Sequence, residues 1–185
     1  MVSWFSIIIT LVIFQRLVEL WIARCNTRLA KAKGGYEVGR EHYPVLVFLH
    51  GAFFASLLTE TILAGKYHAP PVVLFLLVFL LAQLLRVWVL LSLGKMWNTR
   101  LIIVPNSKPV TSGPYRFLKH PNYLVVMIEF VTLPLSFGAW CTAFVFSILN
   151  FLVLQQRIKV EEAALKELPA FYDYFNSHKS RLKHE

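Results

Sequence analysis

The sequence contains few cysteines and few acidic residues. Its 185 residues include only 2 cysteines and 10 aspartates and glutamates. Cys25 and Cys141 are far apart in the chain, so neither a disulfide framework nor a thiolate metal site is predicted. The sequence also lacks a metal-ligand cluster, a phosphate-binding glycine loop and a nucleophile elbow. These absences argue against metalloenzymes, kinases and hydrolases, and we expect no bound metal.

Internal repeats, low-complexity tracts and long Gly/Ser linkers are absent as well. The first residues, Met1 to Trp4, carry no basic side chain, and no small-residue cleavage pattern follows the apolar run before Gln15. The sequence therefore predicts a single domain, residues 1–185, whose first apolar run is a retained span rather than a signal peptide.

Long apolar runs are abundant. The chain is 57% hydrophobic and its mean hydropathy is +0.57, too apolar for an ordinary soluble domain. Runs at about 3–23, 44–64 and 71–93 each match one membrane-spanning helix of about 20 residues. A fourth run, 124–154, is too long for one crossing and has Pro134 and Gly138 near its middle. It predicts a helical hairpin with arms at about 124–137 and 139–154.

The predicted fold class is therefore an all-α integral membrane protein with about five transmembrane helices. The net charge of +9 does not indicate nucleic acid binding, because the basic residues sort by membrane side. The loop after the first span, the loop after the third span and the tail hold five, five and six of the 19 lysines and arginines. Five crossings place all of these on the cytoplasmic face of the cell membrane and the N-terminus outside.

Ionisable residues inside predicted spans need an explanation because they are costly in lipid. They are Arg16, Glu19, Glu60, Arg86 and Glu129. Arg16 and Glu19, three residues apart, can pair on one helix face. Structural roles are the favoured interpretation, with Arg86 and Glu129 the better functional candidates.

A polar segment, residues 113–123, interrupts the apolar pattern. Its prolines restrict the backbone, and Tyr115, His120 and Tyr123 supply flat rings and hydrogen-bonding groups within nine positions. These residues predict a pocket for a polar small molecule that carries an aromatic ring. The alternative is an interfacial belt, since tyrosine favours that depth of the membrane.

A second polar group follows the hairpin. Residues 157–168 form a helix-forming stretch that Pro169 interrupts, and it predicts a C-terminal cytoplasmic amphipathic helix. Arg157 can present its planar fork to an anionic oxygen, while Glu161 or Glu162 accepts hydrogen bonds or balances a cation. The stretch is followed by four aromatic residues, Phe171, Tyr172, Tyr174 and Phe175.

These two groups resemble motifs of the isoprenylcysteine carboxyl methyltransferase family, which are membrane-integral enzymes that use S-adenosylmethionine. Residues 113–123 resemble the family's Gly-x-Tyr-(x)3-Arg-His-Pro-x-Tyr, and residues 157–162 resemble its Arg-(x)3-Glu-Glu. With residues 93–98, the resemblance covers about the last half of the chain. The sequence departs from the family at Lys119, where arginine is usual, and at Val125, where glycine is frequent.

The resemblance implies a set of site residues, within a cofactor-binding loop and tail at 94–123 and 155–185. Arg157 would be catalytic and face the methyl acceptor, and Glu162 would help to bind the acceptor. The residues implied to bind S-adenosylmethionine are Lys108, Pro109, Val110, Tyr115, His120, Pro121, Asn122, Tyr123 and Glu161.

The resemblance is strongest to a bacillus-type subgroup, encoded beside type III polyketide synthases, that is associated with O-methylation of alkylpyrones. It implies an in-line methyl transfer to a lipophilic small molecule with an acidic oxygen, reached through membrane lipid. Two alternatives remain open at this point: a phospholipid N-methyltransferase, and a non-enzymatic membrane scaffold or transporter. No nucleic acid partner is expected.

Overall fold

The computed structural model describes residues 3–168, and the described chain is mostly helical. The helices are α1 (Trp4–Ala32), α2 (His42–Leu63), α3 (Val73–Leu93), α4 (Pro121–Ser136) and α5 (Trp140–Lys166). Four of them, α1, α2, α3 and α5, are long and apolar enough to cross a membrane, whereas α4 is a shorter apolar helix. The exposed surfaces of the four long helices are rich in large hydrophobic side chains, as a lipid environment requires.

Two short strands lie at one end of the helices. β1 (Tyr36–Val38) pairs antiparallel with β2 (Leu101–Ile103), so that Tyr36 is opposite Ile103. The strands contact the ends of α1 and α5, and the segment 94–120 lies beside them. We call this part of the molecule the loop end.

α1 continues to Ala32, well past the predicted span end at residue 23. Six of the nine residues in the extension, 24–32, are strong helix formers, and neither proline nor glycine interrupts the helix before Gly34, which has a φ of +78°. The extension brings polar residues of α1 up to the loop end.

α4 lies between α3 and α5 and is largely internal, with ten of its 16 residues buried. At about 24 Å it is shorter than the hydrocarbon core of about 30 Å, but neighbouring helices surround it. Its core contact is a stacked pair, Phe53 of α2 against Phe130, with ring centroids 4.3 Å apart. The chain then turns at residues 137–139, where Gly138 adopts a φ of +68° two residues after the helix ends.

α5 differs from the predicted arm of 139–154 because it does not stop there. The predicted separate helix at 157–168 is its direct continuation to Lys166, since good helix formers fill the interval. Its 27 residues measure about 40 Å, so the last turns extend beyond the length that a crossing needs. The aromatic residues 171–175 lie outside the described part of the chain.

Four of the five ionisable residues predicted within spans form a charged group between the helices, in which Glu19, Arg86 and Glu129 are buried and Arg16 is partly buried. Arg16 contacts Glu19 at 2.6 Å and Glu129 at 2.7 Å. Arg86 contacts Glu19 at 3.2 Å and also pairs with Glu129. Each arginine thus touches both glutamates, and the four side chains, which we call the charge quartet, sum to zero charge. Such mutual pairing offsets part of the desolvation cost of placing charges within a helix bundle.

Glu60 has a different structural role at the opposite end of the bundle. Its carboxylate accepts hydrogen bonds from the backbone N–H groups of Cys141 (2.9 Å) and Thr142 (2.7 Å). Those groups belong to the first turn of α5, whose own N-cap, Ala139, has no side chain that can accept them. Glu60 therefore caps α5 from α2.

Candidate active site

A cavity of about 190 Å³, with both polar and apolar side chains in its wall, opens at the loop end. Its walls come from the segment that follows α3, from β2, from the start of α4 and from the last turns of α5. The polar and charged residues that line it are Asn98, Arg100, Tyr115, Lys119, His120, Asn122, Tyr123, Arg157 and Glu161. We call it the loop-end cavity.

A second cavity, of about 310 Å³, lies deeper among the helices. Most of its wall is apolar, and Leu46, Val47 and Phe54 of α2 form one side of it. Its polar floor comes from Arg16, Glu19 and Arg86 of the charge quartet and from His50. We call it the membrane cavity.

The two cavities meet at a shared wall. Five residues line both of them: Trp97, Asn98, Asn122, Tyr123 and Arg157. A polar molecule in the loop-end cavity would therefore lie against an apolar molecule in the membrane cavity, with these side chains around the contact. Such a junction suits the transfer of a group between two bound reactants.

Arg157 occupies this junction and is 6% exposed. Its Nε donates to the Tyr123 hydroxyl at 3.1 Å, and its Nη2 donates to the Thr99 carbonyl at 2.6 Å. Within residues 3–168 it forms no ion pair with a carboxylate. A buried guanidinium whose described partners are all neutral favours an anion beside it.

Tyr123 links Arg157 to Glu161. The tyrosine hydroxyl accepts the Arg157 hydrogen bond and donates its own to the Glu161 carboxylate. Arg157 and Glu161 are four residues apart on one face of α5, so the tyrosine bridges the less favourable Arg-before-Glu order. Tyr123 itself is placed by the start of α4, where Pro121 occupies the first helical position.

Glu162 lines neither cavity but pairs with two residues that line the loop-end cavity. Its carboxylate contacts Lys119 Nζ at 2.7 Å and His120 Nε2 at 2.9 Å, so it joins the loop to the last turns of α5. Burial alone would raise the pKa of Glu162, but the hydrogen bonds from Lys119 and His120 outweigh it and lower that pKa below 4.5.

The sequence around these cavities matches a known protein family. Residues 73–167 match the model of the isoprenylcysteine carboxyl methyltransferase (ICMT) family, which is more than half of the chain. The protein is a member of the ICMT family. It is therefore a membrane methyltransferase. All five residues of the wall shared by the two cavities lie in the matched region.

Two bacterial relatives extend the comparison over most of the chain. YpbQ of Bacillus subtilis, described as uncharacterized, is 40% identical over 163 residues, which is 88% of this chain and 97% of that protein. An uncharacterized protein of Haemophilus influenzae is 29% identical over 159 residues, which is 83% of this chain and 90% of that protein. No solved structure matches the methyltransferase.

The structure brings most of the predicted cofactor-binding residues of this methyltransferase to the loop-end cavity. Two do not line it: Lys108, and Pro121, whose ring is buried at the start of α4. Glu162, predicted to bind the acceptor, lines neither cavity. The predicted cofactor-binding residues that line the cavity are Pro109, Val110, Tyr115, His120, Asn122, Tyr123 and Glu161.

Lys119 and Val125, which depart from the ICMT motifs, lie in different parts of the structure. Lys119 pairs with Glu162 and lines the loop-end cavity. Val125 is fully buried and lies four residues before Glu129, on the face of α4 that contacts Arg86 of α3. It lines neither cavity, so the larger side chain fills space between helices instead.

Sequence reasoning missed the part that α1 plays in the site. Asn26 Nδ2 donates to the carbonyls of Gly94 (3.1 Å) and Trp97 (2.8 Å), and Thr27 is hydrogen-bonded to Asn98 (2.8 Å). Two polar residues in succession within a helix were the available signal. They hold the segment after α3 so that Trp97 and Asn98 face both cavities.

Sequence reasoning also missed His50, in the middle of α2. Its Nδ1 lies 2.9 Å from the Leu46 carbonyl and its ring meets Phe130 edge to face. Because a carbonyl only accepts hydrogen bonds, this contact places a proton on Nδ1. In the neutral ring, Nε2 is then the acceptor at the floor of the membrane cavity.

Proposed function

We propose that this methyltransferase transfers a methyl group from S-adenosylmethionine to an acidic oxygen of a lipophilic acceptor. The observation that carries the proposal is the position of Arg157, a buried cation at the wall shared by the loop-end cavity, which holds most of the predicted cofactor-binding residues, and the mostly apolar membrane cavity. A carboxylate or an enolate would supply the negative charge that Arg157 lacks among residues 3–168.

Two buried polar atoms support the presence of a cofactor in the loop-end cavity. Asn122 Oδ1 is a buried acceptor and Trp97 Nε1 a buried donor, and neither has a hydrogen-bond partner within the described chain. The amino, carboxylate and hydroxyl groups of S-adenosylmethionine offer partners for both, and Glu161 provides a carboxylate for a cationic group. The residues present therefore fit this cofactor.

When bound, S-adenosylmethionine supplies a methyl group on a positively charged sulfur, which needs no further activation. The task of the protein is then alignment and exclusion of water, which together can lower a barrier by several kcal/mol. Arg157 would bind the acceptor oxygen and stabilise its deprotonated form by opposite charge. Tyr123 and the Thr99 carbonyl would hold the guanidinium in place while the oxygen lone pair forms a bond to the methyl carbon. The bond from that carbon to sulfur would break at the same time, its electron pair would remain on sulfur, and neutral S-adenosylhomocysteine would leave.

The membrane cavity suits the apolar part of the acceptor. α2 packs on α5 rather than closely on α1, and the cavity lies between α1 and α2. We infer that the acceptor arrives from the bilayer through this side, and that the basic loop end lies on the cytoplasmic face. Tyr123 and Glu129 are six residues apart on α4, which corresponds to about 9 Å along the helix axis. The membrane cavity therefore extends about 9 Å from the shared wall to the charge quartet.

Two acceptor classes fit these features, namely the enol of an alkylpyrone and the carboxylate of a prenylated cysteine. Both combine a long apolar tail with an oxygen that is acidic enough to bind Arg157 as an anion. A phospholipid amine fits less well, because the product of N-methylation carries positive charge and Arg157 would repel it.

The proposal can be tested by supplying purified protein with S-adenosylmethionine labelled in the methyl group and with one acceptor at a time. We expect label in a 4-hydroxy-6-alkyl-2-pyrone or a prenylcysteine and not in phosphatidylethanolamine. The variant Arg157→Gln should incorporate the label at least about tenfold more slowly. Label that enters only the amine lipid, with the Arg157 variant unaffected, would overturn the O-methyltransferase assignment.

A further inference from the structure

A second set of basic side chains lies outside the active site, along the extension of α1. Arg24, Arg28 and Lys31 recur at spacings of four and three residues and therefore share one helix face. Arg40, which precedes α2, and Arg100, which precedes β2, face them across a cleft of about 360 Å³. We call this the basic cleft.

The charges in the basic cleft are not balanced by acidic side chains of residues 3–168. Among the described residues that line it, one is acidic, Glu37, and the Glu37 carboxylate is bound to Arg100 at 2.7 Å. Arg24, Arg28, Lys31 and Arg40 form no ion pair with any carboxylate of residues 3–168. Four cations that surround one cleft repel each other unless an anion lies between them.

The position of the cleft indicates where such an anion would come from. Arg24 is the first basic residue after the apolar part of α1, and the exposed Trp21 precedes it by three residues. Tryptophan favours the membrane interface, so the cleft begins at the depth of lipid headgroups. Basic clusters directly beyond a membrane-spanning helix bind anionic headgroups.

We propose that the basic cleft is a binding site for a phosphate group carried by an anion at the membrane surface. Arginine forks match phosphate oxygens in pairs of hydrogen bonds, and three of the four uncompensated cations are arginines. An anionic phospholipid headgroup and a soluble phosphate ester share this chemistry. Both would be held by Arg24, Arg28 and Lys31 from α1 and by Arg40 from the opposite side.

The cleft is also connected to the methyltransferase site. Arg100 lines both the basic cleft and the loop-end cavity, and its guanidinium lies 4.2 Å from the ring centre of Tyr43 in the membrane cavity. Thr27, in the cleft, is hydrogen-bonded to Asn98 at the shared wall. An anion in the cleft would therefore stabilise the segments that form the active site.

The test compares two triple variants that remove the same charge. One is Arg24→Gln, Arg28→Gln and Lys31→Gln in the cleft; the control is Lys33→Gln, Lys95→Gln and Lys159→Gln, three exposed lysines outside it. Native mass spectrometry of the full chain in detergent measures affinity for phosphatidylglycerol and for phosphatidylcholine. We expect the wild-type protein to prefer phosphatidylglycerol, and the cleft variant to lose at least about tenfold in affinity while the control keeps it.

A competition with glycerol 3-phosphate distinguishes the sources of the phosphate. No displacement of phosphatidylglycerol would assign the site to lipid, and displacement at micromolar concentrations would assign it to a soluble ester. Equal loss in both triple variants, or no preference between the two lipids, would overturn the proposal. Single variants Arg28→Gln and Lys33→Gln repeat the comparison if a triple variant fails to fold. None of these readouts depends on methyl transfer.

Discussion

Among single residues, Arg157 shows how local contacts prepare a site for a charged ligand. Its hydrogen-bond partners within residues 3–168, the Tyr123 hydroxyl and the Thr99 carbonyl, are neutral, and so is the ring of Tyr123 beside it. They orient the guanidinium without neutralising it. An acceptor oxygen that arrives as an anion would complete the set of partners that burial requires.

Replacement of Arg157 should affect the acceptor more than the cofactor. A hydrogen bond to a charged group contributes about 1.5–3 kcal/mol, so Arg157→Gln should lower kcat/KM for the acceptor by about tenfold to more than a hundredfold. Arg157→Lys keeps the charge but not the planar guanidinium, so its kcat/KM should lie between those of the wild type and Arg157→Gln. Initial rates at varied acceptor concentration measure the effect, and unchanged rates in Arg157→Gln would contradict the role.

Gly51 of α2 should control the size of the acceptor. A side chain added there would meet no atom within 4 Å, and the residue lines the membrane cavity. Gly51→Phe should therefore fill space that the acceptor needs and lower kcat/KM by about tenfold or more. Gly51→Ala is the matched control and should stabilise the helix by about 0.4–1 kcal/mol.

The cofactor side provides a second control for Gly51. Affinity for S-adenosylhomocysteine should stay the same in Gly51→Ala and Gly51→Phe, because the residue does not line the loop-end cavity. A Phe variant that turns over the acceptor normally would show that the membrane cavity is not the acceptor site.

Among the helices, α4 contributes residues both to the active site and to the charge quartet. Its first turn places Tyr123 and Asn122 at the shared wall, and its middle places Glu129 against Arg86 of α3 and Arg16 of α1. Site and charge quartet therefore lie at two levels of the same internal helix.

A single substitution in the charge quartet should destabilise the protein more than a double substitution that removes a whole ion pair. Glu129→Gln would leave Arg16 and Arg86 with one carboxylate between them and should destabilise the protein by about 3–5 kcal/mol. The double variant Arg86→Met, Glu129→Met keeps the Arg16–Glu19 pair and total charge, and it should be more stable than Glu129→Gln alone. Thermal unfolding in detergent ranks the three proteins; a double variant less stable than the single one would contradict the pairing.

Glu162 should make the junction between loop and α5 sensitive to acid. Because its pKa is lowered on folding, its contribution to stability is complete above pH 4.5 and is lost as the pH falls through the lower folded value. The wild-type unfolding temperature should therefore fall more steeply than that of Glu162→Gln as pH is lowered below 4.5. Parallel pH profiles for the two proteins would show that the contacts with Lys119 and His120 add no stability.

For the whole molecule, the sequence predicts features that depend on short stretches of chain. Apolar runs locate the helices, and Pro134 with Gly138 locates the turn between α4 and α5, because proline and glycine act locally. Helix spacing also predicts that Arg157 and Glu161, four residues apart, share one face, on which both contact Tyr123. The resemblance to ICMT motifs adds the residues of the loop.

The features that the sequence does not predict join distant segments. Tyr36 pairs with Ile103 across 67 positions, and Asn26 holds Trp97 across 71. Such partners leave no periodic pattern, because neither segment requires the other until both are folded. For the same reason His50 and the floor of the membrane cavity became visible only in three dimensions.

The most direct test of the account is calorimetric binding of S-adenosylhomocysteine to the purified protein. We predict affinity in the micromolar range, weakened by about tenfold or more in Glu161→Gln and Tyr123→Phe, because both residues contribute to the wall of the loop-end cavity. Glu167→Gln, an exposed glutamate on the same helix end, should bind as the wild type does. A well-folded wild-type protein that shows no binding would contradict the assignment of this cavity to the cofactor.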